Sequence, residues 1–174
     1  YETPIYERQS TVFREIDRKI RLVAPTNMSV LILGESGTGK EYIAEKIHKA
    51  SKRANRPFVS VDCGMLSKEL AASALFGHEK GAFTGAEGKR RGYWEEAAGG
   101  TLFLDEAGNL PVEVQQMMLR AIQSKRYRTV GGDKDRTADV RIIAATNEDL
   151  QAAIAEKRFR QDLYQRLKEY TLVL

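Results

Sequence analysis

Blocks of consecutive apolar residues alternate along this chain with stretches whose apolar positions recur every three or four residues. That alternation predicts strands buried on both faces, joined by amphipathic helices. Val30 to Leu33 form the first block, and residues 57–62, 101–105, 140–145 and 170–174 read as four further strands. Ahead of the first strand, residues 10–24 open on Ser10 as a cap candidate and place Val12 or Phe13, Ile16, Ile20 and Val23 on one helical stripe, ended by Pro25. Ile43, Ala44, Ile47 and Ala50 form the stripe of a helix that closes near Arg53. A short helix is expected over 67–76, with Leu70, Ala74 and Leu75 facing inward, and a longer one over 111–124 with proline at its first turn. Residues 150–157 and 159–167 read as two more short helices. Residues 126–130, followed by Gly131-Gly132-Asp133, suggest a small hairpin projecting from the sheet. The strand, helix, strand spacing predicts right-handed crossovers and a parallel sheet.

Composition narrows this picture only slightly. A chain of 174 residues, 42% hydrophobic and 30% charged, is one ordinary globular domain with a full core. No run approaches the roughly 18 apolar residues of a membrane span, and the first residues do not read as a signal peptide. Cys63 is the single cysteine, so no internal disulfide forms and a reducing cytosol suits the chain. Lying beside an apolar strand, it reads as core filler and not as a nucleophile. The net charge of +4 permits contact with phosphates or nucleic acid without requiring it. The densest basic cluster, Lys89-Arg90-Arg91, is too short to be a DNA-binding arm, and most of the charge reads as a solvated face.

The candidate chemistry starts where the first strand ends. Gly34, Glu35, Ser36, Gly37, Thr38, Gly39, Lys40 and Glu41 lead from that strand into a helix. Glycines let successive N–H groups turn toward one point, Lys40 supplies a point charge and the helix adds its positive N-terminal end, which is the layout of a phosphate-binding loop. Gly34-x-x-x-x-Gly39-Lys40 fits the nucleoside triphosphate motif except at Glu41, where a hydroxyl normally faces magnesium. A glycine-rich turn can also be structural alone. A second constellation weighs against that reading: the third strand ends in Asp105 and Glu106, at the edge of the sheet where ligands of open α/β folds gather. Asp105 is the candidate magnesium holder, and Glu106 the group that orients and deprotonates the attacking water. If Asp105 were only a helix cap, neither the second acid nor the glycine loop would be expected. Asn147, after the fourth strand, carries two readings: a sensor of the γ-phosphate, or a cap for the helix near Asp149. No guanine signature occurs, which makes adenine the expected base.

Five glycines fall within residues 77–92, a segment too long and too glycine-rich for regular structure. Phe83 and Thr84 sit between Gly81 and Gly85. Either this arm presents its aromatic ring to a partner, or the ring folds back to anchor the arm itself.

Taken together, Gly34-Glu-Ser-Gly-Thr-Gly-Lys-Glu41, Gly81-Ala-Phe-Thr-Gly-Ala86, Gly100-Thr-Leu-Phe-Leu-Asp-Glu106 and Phe159-Arg-Gln-Asp-Leu-Tyr-Gln-Arg-Leu167 resemble the AAA+ domain of sigma-54-dependent transcriptional activators, the bacterial enhancer-binding proteins. The resemblance runs from about residue 5 to the end. It implies a P-loop NTPase three-layer α/β sandwich: a five-stranded parallel sheet, order 5-1-4-3-2 along the chain, with helices on both faces. It further implies a ring, usually hexameric, that hydrolyses ATP with Mg2+ to remodel the closed complex of sigma-54 RNA polymerase holoenzyme, touching promoter DNA only indirectly and no membrane. By the same resemblance Lys40 contacts phosphate, Asp105 and Glu106 are the magnesium and hydrolysis pair, Asn147 belongs to a sensor, and Glu41 is usual. Gly81, Ala82, Phe83, Thr84, Gly85 and Ala86 form the loop that touches sigma-54. Arg160 and Arg166 match the family's two arginines at the subunit boundary; six apart, they would both reach a neighbour's nucleotide more readily with a bend or a helix start at Arg160. Asp62 departs from the family, standing where an asparagine commonly restrains the catalytic glutamate. The sequence also stops before the family's helical lid, so residues 1–174 are expected to be the AAA+ α/β domain alone. Two other classes compete with this reading, a scaffold that binds ATP without hydrolysing it and an AAA+ machine acting on DNA; the Asp105-Glu106 pair argues against the first and the 81–86 loop against the second.

Overall fold

Five parallel strands build the sheet of this computed structural model, which describes residues 3–35 and 39–174, with side chains from Thr11 onward. They are β1 (Val30–Leu33), β2 (Phe58–Asp62), β3 (Thr101–Asp105), β6 (Arg141–Thr146) and β7 (Tyr170–Val173), and the order across the sheet is β2-β3-β6-β1-β7. A separate two-stranded hairpin pairs β4 (Arg126–Tyr127) with β5 (Arg136–Thr137). The apolar blocks form central strands because both of their faces are covered. Successive residues point to opposite sides, so Val30 and Ile32 of β1 join a core under α1 (Thr3–Val23) and α2 (Lys40–Lys49), while Leu31 joins the other core with Trp94, Met118 and Leu163. Ile143 and Ala145 divide from Ile142 and Ala144 of β6 in the same way.

The second core is roofed by α3 (Ala71–Phe76), α4 (Tyr93–Glu96), α5 (Val112–Ser124) and α7 (Gln161–Leu167), with α6 (Leu150–Ala155) beside them. Several sequence expectations are corrected. The first helix begins at Thr3 and runs through position 10, so it does not start at Ser10. Val12 and Phe13 lie on its outer side, 56% and 44% exposed, because only its last turns reach the sheet through Ile20 and Val23. Leu70 precedes α3 and is exposed, and Pro111 stands just before the first turn of α5. The short helix α4 was not expected; fully buried Trp94 anchors it, its ring 5.4 Å from that of Phe76. Among the described residues no helix is long and apolar enough to cross a membrane.

One buried cation ties α1 to the central strand. Arg141, 2% exposed at the start of β6, donates to the carbonyls of Val23 and Ala24 at 2.8 Å each and of Met28 at 3.1 Å. Burial lowers its pKa to about 10, so the guanidinium stays charged at neutral pH beside the negative end of α1. Arg141→Met keeps the stem but strands these carbonyls, and is expected to cost about 2–4 kcal/mol of unfolding free energy after relief of the desolvation cost. Urea unfolding measures it; a loss below about 0.5 kcal/mol, the range of ordinary surface changes, would show that the clamp contributes nothing.

Candidate functional site

The parallel register brings the chemistry to one edge. Asp62 lies opposite Asp105, Asp105 opposite Ala145, and Leu33 opposite Thr146, so β2, β3, β6 and β1 end side by side. Gly34 N–H donates to the Thr146 carbonyl at 3.2 Å and stitches the start of the phosphate loop to the end of β6. Ser36, Gly37 and Thr38 lie outside the described residues. Gly39 closes the loop at φ 85°, a left-handed conformation that side chains resist, and α2 starts at the next residue. That residue, Lys40, is 5% exposed, and its Nζ sits 2.9 Å from the Gly34 carbonyl and 3.3 Å from Glu106 Oε2. Glu35 and Glu41 are exposed on either side of the loop.

Glu106 follows β3 in a left-handed turn of its own, φ 53° and ψ 52°, a strained conformation for a non-glycine residue. The turn lets its carboxylate bridge two elements: Oε2 meets Lys40, and Oε1 accepts from the Asn147 backbone N–H at 3.3 Å. The cap of α6 is Asp149, its Oδ1 accepting from Gln151 and Ala152 at 3.0 and 3.2 Å. Asp105 Oδ1 is buried and has no hydrogen-bond partner among the described residues. Burial first, and the Glu106 carboxylate second, push the Asp105 pKa upward, with Lys40 opposing them. An orphaned carboxylate oxygen short of positive charge fits a divalent cation. No group of three or more His, Cys, Asp or Glu that could hold a metal ion occurs among the described residues.

Asp62 is an acceptor only, and its Oδ1 takes the Gly64 N–H at 3.0 Å. Next to it, Cys63 is buried, and burial reinforced by Asp62, Asp105 and Glu106 pushes its thiol up to about 12, which makes it the inert core residue its setting suggested.

Arg160 stands at the entry to α7, with ψ 133°, so the helix begins just after it. Its guanidinium grips Asp162 with two bonds of 3.0 and 2.8 Å. Arg166 lies in the last turn of α7. Among the described residues neither arginine pairs with Asp105 or Glu106.

The arm has a definite neck. A Cβ on Gly77 or on Gly92 would meet the other strand's backbone at 2.6 and 2.4 Å respectively, so both positions need glycine. Above the neck His78 and Arg90 exchange backbone bonds of 3.0 and 2.9 Å, and Val130 of the hairpin bonds to Gly77 and Glu79. Glu79 accepts from Thr129 Oγ1 at 2.7 Å, and Arg136 lies 3.5 Å from Glu79 and 3.6 Å from Glu95. At the tip, Gly81 and Gly85 adopt positive φ, Ala86 is buried, and Ala82 and Phe83 are half-buried. The Phe83 ring meets the His78 ring edge-on at 5.0 Å, so in this structure the ring folds back, while Thr84 is exposed. Sequence reasoning assigns no role to His78, Arg136 or the buried Gln115; only the last left a signal, as a polar residue on the apolar stripe of α5.

The chain matches the family described as "Sigma-54 interaction domain" over residues 6–173. It is 52% identical over 155 residues to the Sigma54-dependent transcriptional regulator SfnR of Pseudomonas fluorescens (strain Pf0-1), covering 89% of this chain and 42% of that protein. A crystal structure of NtrX from Brucella abortus in complex with ATP aligns with a TM-score of 0.86 at 40% identity, over 92% of this chain and 34% of that one. The P-loop NTPase domain of the Sigma-54 transport activator from E. coli shares the fold, with a TM-score of 0.65 at 21% identity over 94% of each chain. The chain thus spans about two-fifths of the length of the curated relatives it matches.

Proposed function

The chain belongs to the Sigma-54 interaction domain family, a P-loop NTPase of AAA+ type, and from that premise we propose that it binds and hydrolyses ATP to drive remodelling of the sigma-54 RNA polymerase closed complex. The observation that carries the reading is the meeting of Lys40, Asp105, Glu106 and the Asn147 backbone at one sheet edge. Gly34, Glu35, Gly39, Lys40 and Glu41, with the loop between them, cradle the triphosphate. Lys40 then trades its contact with Glu106 for phosphate oxygens, and Glu106 is freed to orient the attacking water and take its proton. Asn147 senses the γ-phosphate from the end of β6. Bound Mg2+, held by Asp105, would neutralise charge on the phosphates. Arg160 and Arg166 serve the nucleotide of a neighbouring subunit in a ring, hexameric by family habit. Such an arginine is worth about 10³ to 10⁵ in rate.

The arm supplies the output. Its residues 81–86 touch sigma-54, and phosphate held by Lys40, Asn147 and a neighbour's arginines favours a raised arm over the folded-back one. Promoter DNA is engaged only indirectly, and the setting is the cytoplasm, in keeping with the lone reduced thiol. The test is sigma-54 binding by the full-length protein, with and without ADP and a metal fluoride that mimics the transition state. Binding only with the analogue is expected; equal binding in both conditions would remove the link between nucleotide and arm.

A further inference from the structure

Gln115 is fully buried, and every polar atom of its amide is engaged. Its Nε2 donates to the Leu110 carbonyl at 2.8 Å and to the Arg158 carbonyl at 3.0 Å, while its Oε1 accepts from the Arg160 N–H at 2.8 Å. Leu110 ends the short turn Ala107–Asn109 that Glu106 opens, and the turn is closed by Asn109 N–H to the Glu106 carbonyl at 3.0 Å. One side chain therefore joins the segment leaving Glu106 to the segment that carries Arg160. A second tie runs parallel to it. Glu148, the residue after Asn147, lays its carboxylate over Gly108 of the same turn, and it pairs with Arg158 at 2.5 Å.

A lone amide in an apolar helix face is costly unless satisfied, and here its satisfaction fixes where the 158–160 segment lies. Both ties start one to four residues from the groups assigned to water and γ-phosphate. The first ends on Arg158 and Arg160, the two residues flanking Phe159, and the second on Arg158; Phe159 is itself buried at 3% exposure. A shift of the Glu106 turn or of Asn147 is thus carried to the backbone that aims Arg160.

We propose that Gln115 is a positioning residue that links a subunit's own hydrolysis pair to the arginine it offers its neighbour, so that each site's state sets the aim of Arg160 in trans. This rests on the trans role of Arg160 given above. The test uses the full-length protein with Gln115→Met, which keeps the side-chain volume and removes all three bonds. Expected is a fall of about 10²-fold in kcat, the effect of displacing a catalytic group by about an ångström, with KM for ATP and ring size unchanged. Mixing settles whether the fault lies in the arginine. Gln115→Met subunits keep an intact hydrolysis pair, and Glu106→Gln subunits keep a well-aimed arginine, so mixed rings are expected to exceed either parent. Gln115→Met mixed with Arg160→Ala is expected to stay low.

No rise with Glu106→Gln, where Arg160→Ala mixed with Glu106→Gln does rise, would reduce Gln115 to a packing residue and overturn the proposal. If that second control also fails to rise, the trans role of Arg160 falls first and takes the proposal with it. Should the methionine variant fail to fold, Gln115→Glu, which keeps the shape and the acceptor for Arg160, replaces it; the same pattern of mixing at a smaller loss is expected.

Discussion

Replacing Lys40 with alanine is expected to abolish measurable ATP binding and leave the fold in place. Lys40 is buried at the first turn of α2, and its ammonium already lies among acceptors, the Gly34 carbonyl and the Glu106 carboxylate. A unit charge about 4 Å from a phosphate in a site of effective dielectric about 20 contributes on the order of 4 kcal/mol, or about 10³ in Kd. Its loss also leaves Glu106 as an uncompensated negative charge facing the phosphates, which adds repulsion to the missing attraction. The fold has little at stake, because alanine suits the first turn of α2 and Glu106 keeps its bond from Asn147. Calorimetry measures the affinity and circular dichroism the fold. Unchanged affinity would remove the phosphate-loop assignment.

What the sequence made legible was whatever depends on local pattern. Val30 to Leu33, Leu102 to Leu104 and Ile142 to Ala145 are apolar runs that only a doubly covered parallel sheet accommodates, and the acids and glycines at their ends were placed by the rule that ligands gather at the carboxyl edge. Elements whose fate depends on a distant neighbour were not legible. Val12 and Phe13 have the right spacing for a core stripe, but the sheet ends before reaching them. Trp94 was hidden in the tail of a glycine-rich segment, and only its contact with Phe76 shows why a helical turn forms there. The Phe83 ring meets His78, five residues away, while the neck beneath it is fixed by Val130 of the hairpin, a pairing over fifty residues that no periodicity encodes. Glu106 in a left-handed turn is likewise invisible in sequence: its type pointed to the chemistry, but the turn that carries it toward Lys40 does not follow from propensity.

The arm is where hydrolysis and output are expected to come apart. Phe83 and Thr84 lie in a tip held by Gly81 and Gly85, and among the described residues neither bonds to Lys40, Asp105, Glu106 or Asn147. The residues proposed to touch the partner therefore differ from those proposed to touch ATP. Thr84→Ala and Phe83→Ala, made in the full-length protein, are expected to keep nucleotide binding and basal ATPase while losing sigma-54 binding and open-complex formation. The two variants separate contact from conformation. Thr84 is exposed, so its loss removes a surface group and little else, whereas Phe83→Ala also deletes the ring that folds against His78. If that ring contact holds the arm down, Phe83→Ala loosens the arm and exposes residues 81–86 to proteolysis without nucleotide, which Thr84→Ala does not. Partner binding is measured by native gel shift, and open complexes by promoter melting. If both variants activated like the parent, the arm would be a structural hairpin braced by His78 and Val130, and sigma-54 would have to be engaged by another surface of the domain.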